Sequence, residues 1–470
     1  MRKLHRQTNL FINFAREFIN DIPEIPIMRK SAIALFMMCT MSAWAEPWTL
    51  RDCIQHALQN NITIRKNRVS EESGEATLKQ NKSVLWPSLS FSTNHGVSYR
   101  PGQDADTYRD VDGEIVTTPN TTVSSSYGIN MNWTVWNGGI NHKNVKAQEV
   151  ANEIIELNTE TSELNIQEQI VQLYVQIMYT LEAQKVNQSL AKTAKEQYDR
   201  GVELYKEGQM SKADLAQLEA QLGSAQYDVV NSGTQVQNFK RQLKNLLQLD
   251  MSTEFDVTGE VPSDETISAE IIPAAEAVYA QALLSRPEIR SAEKSIESAE
   301  LQYNIAKRGH YPTIGLNAGI SDSHNTASSS EVGKQMKNNL NMSASVSLSV
   351  PIWDQRRTST NKQKALLQKT TAQLDLEDKK NALSSSIQQF HLNAVSGQAR
   401  FVAAQTKCQS QKTSFELVDE QFKNGLKTVV DVLQSRDNML SAEQDKLQSK
   451  YTFLLNLQLL KFYQGEELTL

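Results

Sequence analysis

Residues 340–353, LNMSASVSLSVPIW, place an apolar side chain at every second position. Leu340, Met342, Ala344, Val346, Leu348, Val350 and Ile352 alternate with residues that include Asn341, Ser343, Ser345, Ser347 and Ser349. A period of two is the strand period, so one face is apolar and the other carries amides and hydroxyls. Three more segments alternate in this way. Residues 88–99 carry Leu89 and Phe91 on one face. Residues 123–136 set Tyr127, Ile129, Met131, Trp133 and Val135 against Gly128, Asn130, Asn132 and Thr134. From residue 313, Ile314, Leu316, Ala318 and Ile320 alternate with Gly315, Asn317 and Gly319. Each segment has roughly the ten residues that a tilted strand needs to cross a bilayer.

Such strands fit two environments. In a soluble sandwich the apolar face meets another sheet; in a membrane barrel it meets lipid. The chain offers no other apolar sheet as a cover. Aromatic residues border the strands: Trp86 and Tyr311 precede the first strand of each pair, and Trp136 and Trp353 end the second. All four then fall at one membrane interface as a girdle. The expectation is a barrel. Four strands cannot close one, because the smallest membrane barrels have about eight, and each unpaired edge group in hydrocarbon costs several kcal/mol. Several chains must contribute, and three copies give twelve strands around a lumen lined by Ser and Asn. A homotrimer in contact with lipid is expected.

The rest of the chain reads as helix. Residues 141–207 contain no proline, and Val150, Leu157, Leu164, Val171 and Met178 recur at sevens. At ~1.5 Å per residue that helix approaches 100 Å. After Gly208, Leu215, Leu218, Leu222, Ala225, Val229, Ser232, Val236, Phe239, Leu243 and Leu246 step by three and four, a coiled-coil seam broken only by Ser232. Leu433, Leu440, Leu447 and Leu454 repeat at sevens further on.

The chain is also written twice. ALQNNITIR at Ala57 matches ALLSRPEIR at Ala282, LWPSLSF at Leu85 matches HYPTIGL at His310, and TVWNGG at Thr134 matches PIWDQR at Pro351. YKEGQMSKADL at Tyr205 matches FKNGLKTVVDV at Phe422. Two tandem repeats are therefore expected. The first covers residues 46–254, with strands at about 88–136 and coiled-coil helices at about 140–249. A Pro/Gly-punctuated linker or equatorial segment follows at 255–273. The second covers 274–470, with strands at about 313–352 and helices at about 354–462. Each copy reads helix, strand, loop, strand, long helix, turn, long helix. The loops at 100–121 and 321–339 read as exposed polar connections. Asp104, Asp106, Asp110 and Asp112 in the first lack calcium-loop spacing and read as solvated charge.

Residues 28–45 have a basic start at Arg29 and Lys30, an apolar stretch, and a small-residue exit at Ala43-Trp44-Ala45. That is the pattern of a secretory signal peptide, which makes residues 1–27 an extension upstream of the true start. Met37 and Met38 suit lipid attachment at Cys39 poorly. Cys53 and Cys408 belong to no Cys or His cluster and read as small buried hydrophobes. A net charge of −6 argues against nucleic-acid binding. The downstream region holds no apolar run long enough for a membrane helix.

No phosphate loop, H-E-x-x-H or G-x-S-x-G motif is present, and His56, His142, His310 and His391 are scattered. Neither enzyme chemistry nor a cofactor is expected, so any energy must come from a partner protein. The two helix–helix turns share one pattern. Gly208 and Gly425 suit a left-handed helix end, Ser211 and Thr428 suit N-caps, and Asp214 and Asp431 follow three residues later.

The motifs WTLRDCIQHALQNN, the WP and YP strand entrances, the VWNGG exit and the doubled G-x-x-[ST]-x-x-D turns occur in one order over almost the whole downstream chain. In that order the sequence resembles the TolC-like outer-membrane efflux proteins, or outer membrane factors. The resemblance implies a mainly α fold with a membrane β-barrel part: a trimeric α-barrel tunnel below a shared twelve-stranded barrel. It implies the outer membrane of a Gram-negative bacterium, with a long periplasmic part. The function implied is a passive exit duct for efflux or type I secretion, docking a periplasmic adaptor (a membrane fusion protein) and, through it, an inner-membrane pump. The adaptor-docking turns would be Gly208, Gln209, Met210, Ser211 and Lys212 with Gly425, Leu426, Lys427 and Thr428. A pore constriction is implied at Asp431, while the family's second aspartate position holds Gln434. Lys427 matches a basic residue, and Phe422 an aromatic one without its hydroxyl, at positions that help hold the closed state. The rival readings are a periplasmic coiled-coil adaptor or structural protein of the envelope, and a cell-wall enzyme with coiled-coil arms. An adaptor calls for a single hairpin, and an enzyme for a compact catalytic domain that the short non-repeat segment cannot supply.

Overall fold

The computed structural model describes residues 47–101, 107–109, 115–117, 120–259, 261–328 and 330–469. The expected upstream extension and signal peptide with Cys39, and the carboxylates Asp104, Asp106, Asp110 and Asp112, lie outside these residues.

The chain opens with α1 (Leu50–Asn60) and α2 (Ile62–Ser83), followed by β1 (Ser88–Tyr99), β2 (Thr107–Arg109), β3 (Ile115–Thr117) and β4 (Thr121–Trp136). Two long helices come next, α3 (Ile140–Lys206) and α4 (Lys212–Leu247). After residue 260 come α5 (Asp264–Ala269), α6 (Ala275–Ser285), α7 (Pro287–Lys307), a 3₁₀ turn (Arg308–His310) and β5 (Thr313–Asn325). The chain closes with α8 (Val332–Asn339), β6 (Asn341–Ser349), α9 (Arg357–Lys423) and α10 (Val429–Tyr463).

The single helix expected before each strand pair is broken in two. At Asn61 the backbone turns extended, with φ −61° and ψ 130°, and the side-chain oxygen caps α2 by accepting from the Thr63 N–H. At Arg286 the following Pro287 excludes helical geometry and itself starts α7.

Helices α3 and α9 each have 67 residues, about 100 Å at 1.5 Å per residue. Each folds back through a short turn onto its partner, α4 or α10. The seam read from the sequence is the packed one: Leu218, Ala225, Val236 and Leu243 of α4 are buried. Ser232 is buried as well, and its hydroxyl donates to the Asp228 and Val229 carbonyls of its own helix, so no polar group is orphaned. Gly397 of α9 lies so near α10 that a Cβ there would sit 3.0 Å from the Phe453 backbone nitrogen.

The main apolar core lies where residues 255–275 meet the helices and gathers Tyr174, Ile177, Leu247, Ile267, Ile387, Phe401 and Phe453 among others. The expected linker is thus a strap containing a helix, α5. Trp48 pairs with Val257 in a parallel bridge, and the Tyr174 hydroxyl donates to the Trp48 and Thr258 carbonyls. Gln398 of α9 donates to the Ile267 and Glu270 carbonyls at 3.1 and 2.9 Å. Lys446 and Lys461 of α10 reach Asp264 and Glu270 at 2.7 and 2.8 Å. These half-exposed ion pairs contribute about 0–1 kcal/mol each, so burial of apolar surface does more than charge to hold the strap.

The sheet runs β1-β4-β5-β6, antiparallel throughout. Its register aligns like with like. Phe91, Ile129, Ile320 and Met342 form one rung, and Leu89, Met131, Ala318 and Ala344 another. On the opposite face Ser90, Asn130, Gly319 and Ser343 line up, as do Ser88, Asn132, Asn317 and Ser345. The apolar face is uncovered: Phe91 is 67 %, Met342 69 % and Val346 72 % exposed. Among the described residues β1 and β6 each have one strand neighbour in this sheet.

Three expectations about the strand region need correction. β6 stops at Ser349, because Pro351 has no N–H for the ladder, so Trp353 lies beyond the strand and not at its end. The loop at 100–121 carries a small hairpin in which β2 pairs with β3. The loop at 321–339 carries the helix α8. Composition marked both loops as polar and missed short elements that depend on pairing or docking.

Candidate functional site

Two regions gather the residues singled out in the sequence: one end of the sheet and the turns of the two hairpins.

At the sheet end, Trp86 and Tyr311 stand two residues before β1 and β5, Trp136 closes β4, and Trp353 follows β6. The strand register brings these positions to the same end. All four are exposed, Trp86 at 74 % and Trp353 at 80 %. Trp136 stacks on Tyr311, with centroids 6.4 Å apart and planes at 16°. The close approach requires Gly138: its φ is +70°, and a Cβ there would stand 2.8 Å from Tyr311 Cβ. Arg308 donates to the Gly138 carbonyl and fixes the same corner. Trp133 donates its indole N–H to the Leu85 carbonyl at 3.0 Å, which satisfies its polar edge while the ring joins the apolar face.

At the turns, Gly208 and Gly425 are left-handed, with φ +75° and +73°. Ser211 caps α4 by accepting from the Asp214 N–H at 3.1 Å. Thr428 and Asp431 form a complete capping box on α10: the Asp431 N–H donates to Thr428 Oγ1 at 3.3 Å, and the Thr428 N–H donates to Asp431 Oδ2 at 3.0 Å. Lys427 Nζ is 3.8 Å from Asp431 Oδ1. The Thr428 N–H, then its hydroxyl, then the Lys427 charge hold the Asp431 carboxyl below its ordinary value. Asp431 is therefore ionised, and one of its oxygens is engaged by its own turn. Gln434, one turn along α10, is exposed and donates to Asn438. Leu426 is 75 % exposed, and Gln209, Ser211, Lys212, Lys427 and Thr428 are also at the surface.

Phe422 is 6 % exposed. It packs with Leu218, Phe415, Val429 and Val432, against which Tyr198 and Met210 also lie. The structure thus places Phe422 and Met210 inside one apolar cluster that joins the two hairpins behind their turns. Beside it lies a polar tie that sequence reasoning missed. Gln197 of α3 donates to Asp419 of α9 at 2.7 Å, Arg200 donates to the Lys423 carbonyl at 2.8 Å, and Lys423 reaches Asp419 at 2.7 Å. Its members are more than 200 residues apart in sequence, and only the parallel alignment of the hairpins brings them together.

Among the described residues no three His, Cys, Asp or Glu side chains converge on a metal site, and no helix is long and apolar enough to cross a membrane.

Comparison with known proteins gives a consistent result. The Outer membrane efflux protein family matches residues 53–248 and 278–466. The chain is 21 % identical over 436 residues to outer membrane protein TolC of Salmonella enteritidis, covering 90 % of this chain and 83 % of that one. It is 20 % identical over 275 residues to the alkaline protease secretion protein AprF of Pseudomonas aeruginosa, covering 58 % and 55 %. The crystal structure of the Campylobacter jejuni CmeC outer membrane channel superposes with a TM-score of 0.71 at 19 % identity, covering 90 % of this chain and 87 % of that one. Two long hairpins, one uncovered alternating sheet and these matches agree, and the chain belongs to the Outer membrane efflux protein family.

Proposed function

We propose that the protein is the outer-membrane channel of a tripartite efflux or type I secretion system, a passive exit duct without enzymatic activity. One observation carries the proposal: a sheet of four strands which, among the described residues, has an uncovered apolar face and two outer strands that each lack a second neighbour. In hydrocarbon such edges must be paired, so copies of the chain complete the cylinder. Three copies make a barrel of twelve strands, with the Ser/Asn face on the water path and the girdle of Trp86, Trp136, Tyr311 and Trp353 at the periplasmic interface. The hairpins continue below as a helical tunnel about 100 Å long.

The two matches to the family description on either side of the strap accord with a tandem repeat whose halves divide at residues 255–273. The turns at 208–212 and 425–428 form the docking surface for a periplasmic adaptor, which links the duct to an inner-membrane pump. The name of the relative AprF, a protease secretion protein, accords with polypeptide export; that of CmeC accords with channel function. Asp431 and Gln434 line the constriction, Asp431 supplying the negative charge and Gln434 a neutral collar. Lys427 tempers that charge. Phe422 acts from inside, gluing the hairpins together, and the Gln197–Asp419 and Arg200–Lys423 contacts have to break before one tip can move past the other.

Detergent-extracted protein run on a calibrated sizing column with light scattering tests the core of the proposal. A trimer that conducts ions in planar bilayers is expected. A monomer that stays in water without detergent would overturn it. For the constriction, Asp431→Asn keeps a cap acceptor and removes the charge. Reduced cation preference is expected, with a loss of thermal stability smaller than loss of the Thr428 cap brings, and unchanged selectivity removes Asp431 from the pore.

A further inference from the structure

The loop between β5 and β6 contains α8, and its faces are sorted. Gln335 is 6 % exposed and holds the helix to the sheet: its side-chain oxygen accepts from the Asn325 N–H at 3.0 Å, and its amide donates to the Ser330 carbonyl at 2.7 Å. Asn339 donates to the Ser323 carbonyl at 2.6 Å. On an adjacent face, Val332, Met336 and Leu340 recur at i, i+4 and i+8 and are 50 %, 38 % and 52 % exposed. Lys334 and Lys337 are exposed on the remaining side. The stretch 331–340 carries these two lysines against one glutamate, Glu331.

The stripe has a neighbour that tells what covers it. Leu340 leads directly into the apolar row of β6, Met342, Ala344, Val346 and Leu348. That row is the lipid-facing one in the barrel proposed above, so the helix stripe continues an interface with lipid. Its height is marked independently. Above the rung of Phe91, Ile129 and Ile320, the same sheet face turns polar for two rungs, first Thr93, Tyr127 and Asp322, then His95, Ser125 and His324, before Val97 meets Val123 where β1 and β4 run on past β5. The rings of His95, Tyr127 and His324 stand side by side at 5.5 and 6.2 Å. His95 also shares a hydrogen bond with Ser125 at 2.9 Å. The anchors of α8, Ser323 and Asn325, flank His324. The helix is therefore fixed where the apolar band gives way to polar side chains, at the end of the sheet opposite the tryptophan girdle.

We infer that α8 is an interfacial helix that lies on the outer leaflet. Val332, Met336 and Leu340 sink into the boundary between headgroups and acyl chains, and Lys334 and Lys337 meet anionic headgroups. A short helix with one apolar stripe and flanking lysines gains from both contacts, and its docking to β5 removes the orientational cost of finding the surface. Because the inference rests on the barrel reading, the test has to separate the two.

Single cysteines replacing Met336 or Val346, labelled with a fluorophore, can be read in vesicles of phosphatidylethanolamine and phosphatidylglycerol. Cys53 and Cys408 are buried and stay unlabelled in the folded protein. A lipid-attached quencher is expected to quench both labels at least about threefold more than an aqueous one. A Met336 label quenched from water beside a Val346 label quenched from lipid overturns the inference and leaves the barrel intact. Both labels quenched from water overturns the barrel as well. A Met336 label shielded from both quenchers means that protein covers the stripe, such as a second copy, and also overturns the inference. With Lys334→Glu and Lys337→Glu combined, lipid quenching at Met336 is expected to fall in the anionic vesicles but not in phosphatidylcholine alone; no change in the anionic vesicles removes the lysines from the interface.

Discussion

Single residues in this protein act through what a Cβ or a proton would disturb. Gly397 permits the close crossing of α9 and α10, so Gly397→Ala drives a methyl against the Phe453 backbone. A loss of about 1–3 kcal/mol is expected in denaturant unfolding of the helical part. Gly223 on α4 meets nothing within 4 Å in one protomer, so Gly223→Ala should stabilise by about 0.5–1 kcal/mol through helix entropy. The contrast checks that packing, not glycine itself, sets the sign. Glu168 of α3 is a proton-sensitive point. Burial pushes its carboxyl above the ordinary value, while the Tyr463 hydroxyl and the Arg286 guanidinium pull it back. Arg286 lies 4.0 Å over the Tyr463 ring. A raised folded value means that the folded state binds this proton more readily than the unfolded chain. Stability from Glu168 is therefore highest at acid pH and declines as pH rises from the ordinary carboxylate range through the raised one. Glu168→Gln should flatten that decline in melting temperature against pH, and an unchanged slope would assign it elsewhere. The caps at Ser211 and Thr428 were legible because partner and cap are three residues apart. The setting of Glu168 was not, because Tyr463 and Arg286 lie far from it in sequence.

At the scale of elements, the turns show how local chemistry sets a boundary. Thr428→Ala removes the hydroxyl that the Asp431 N–H uses and should cost about 1 kcal/mol in thermal or denaturant melts. The lesser stability effect expected of Asp431→Asn, read beside ion selectivity, then separates capping from the proposed pore charge. Long elements were readable because hydrophobic periods accumulate over many residues: α3 and α4 match the sevens and the three–four steps closely. Short elements were not. The strap helix α5 and the loop helix α8 have 6 and 8 residues, too few for a period to show. They are held by Gln398, Lys446, Gln335 and Asn339, whose roles depend on what docks beside them. The breaks at Asn61 and Arg286 left clearer marks, an N-cap asparagine and a following proline, which the reading of one continuous helix passed over.

For the whole molecule, the tips and the strands set the behaviour. Gln197→Ala combined with Asp419→Ala loosens the tie between the hairpins behind their turns. In the proposed channel, larger or more frequent single-channel openings are expected in planar bilayers, with the size of the assembly on a sizing column unchanged; conductance identical to the parent would show that the tie has no part in opening. The sequence by itself determined the alternating faces of the strands, the coiled-coil seams and the capped turns. Each of these follows from side chains within one turn or one strand of each other. Tertiary structure alone decided that residues 255–273 form a strap and that Phe422 is buried between hairpins. It also decided that Gln197 meets Asp419 and that the polar loop after β5 folds into a helix with an apolar stripe. Those contacts join separate elements, from 10 residues apart at Gln335 and Asn325 to 222 at Gln197 and Asp419, and no local period or spacing carries the free energy that selects them.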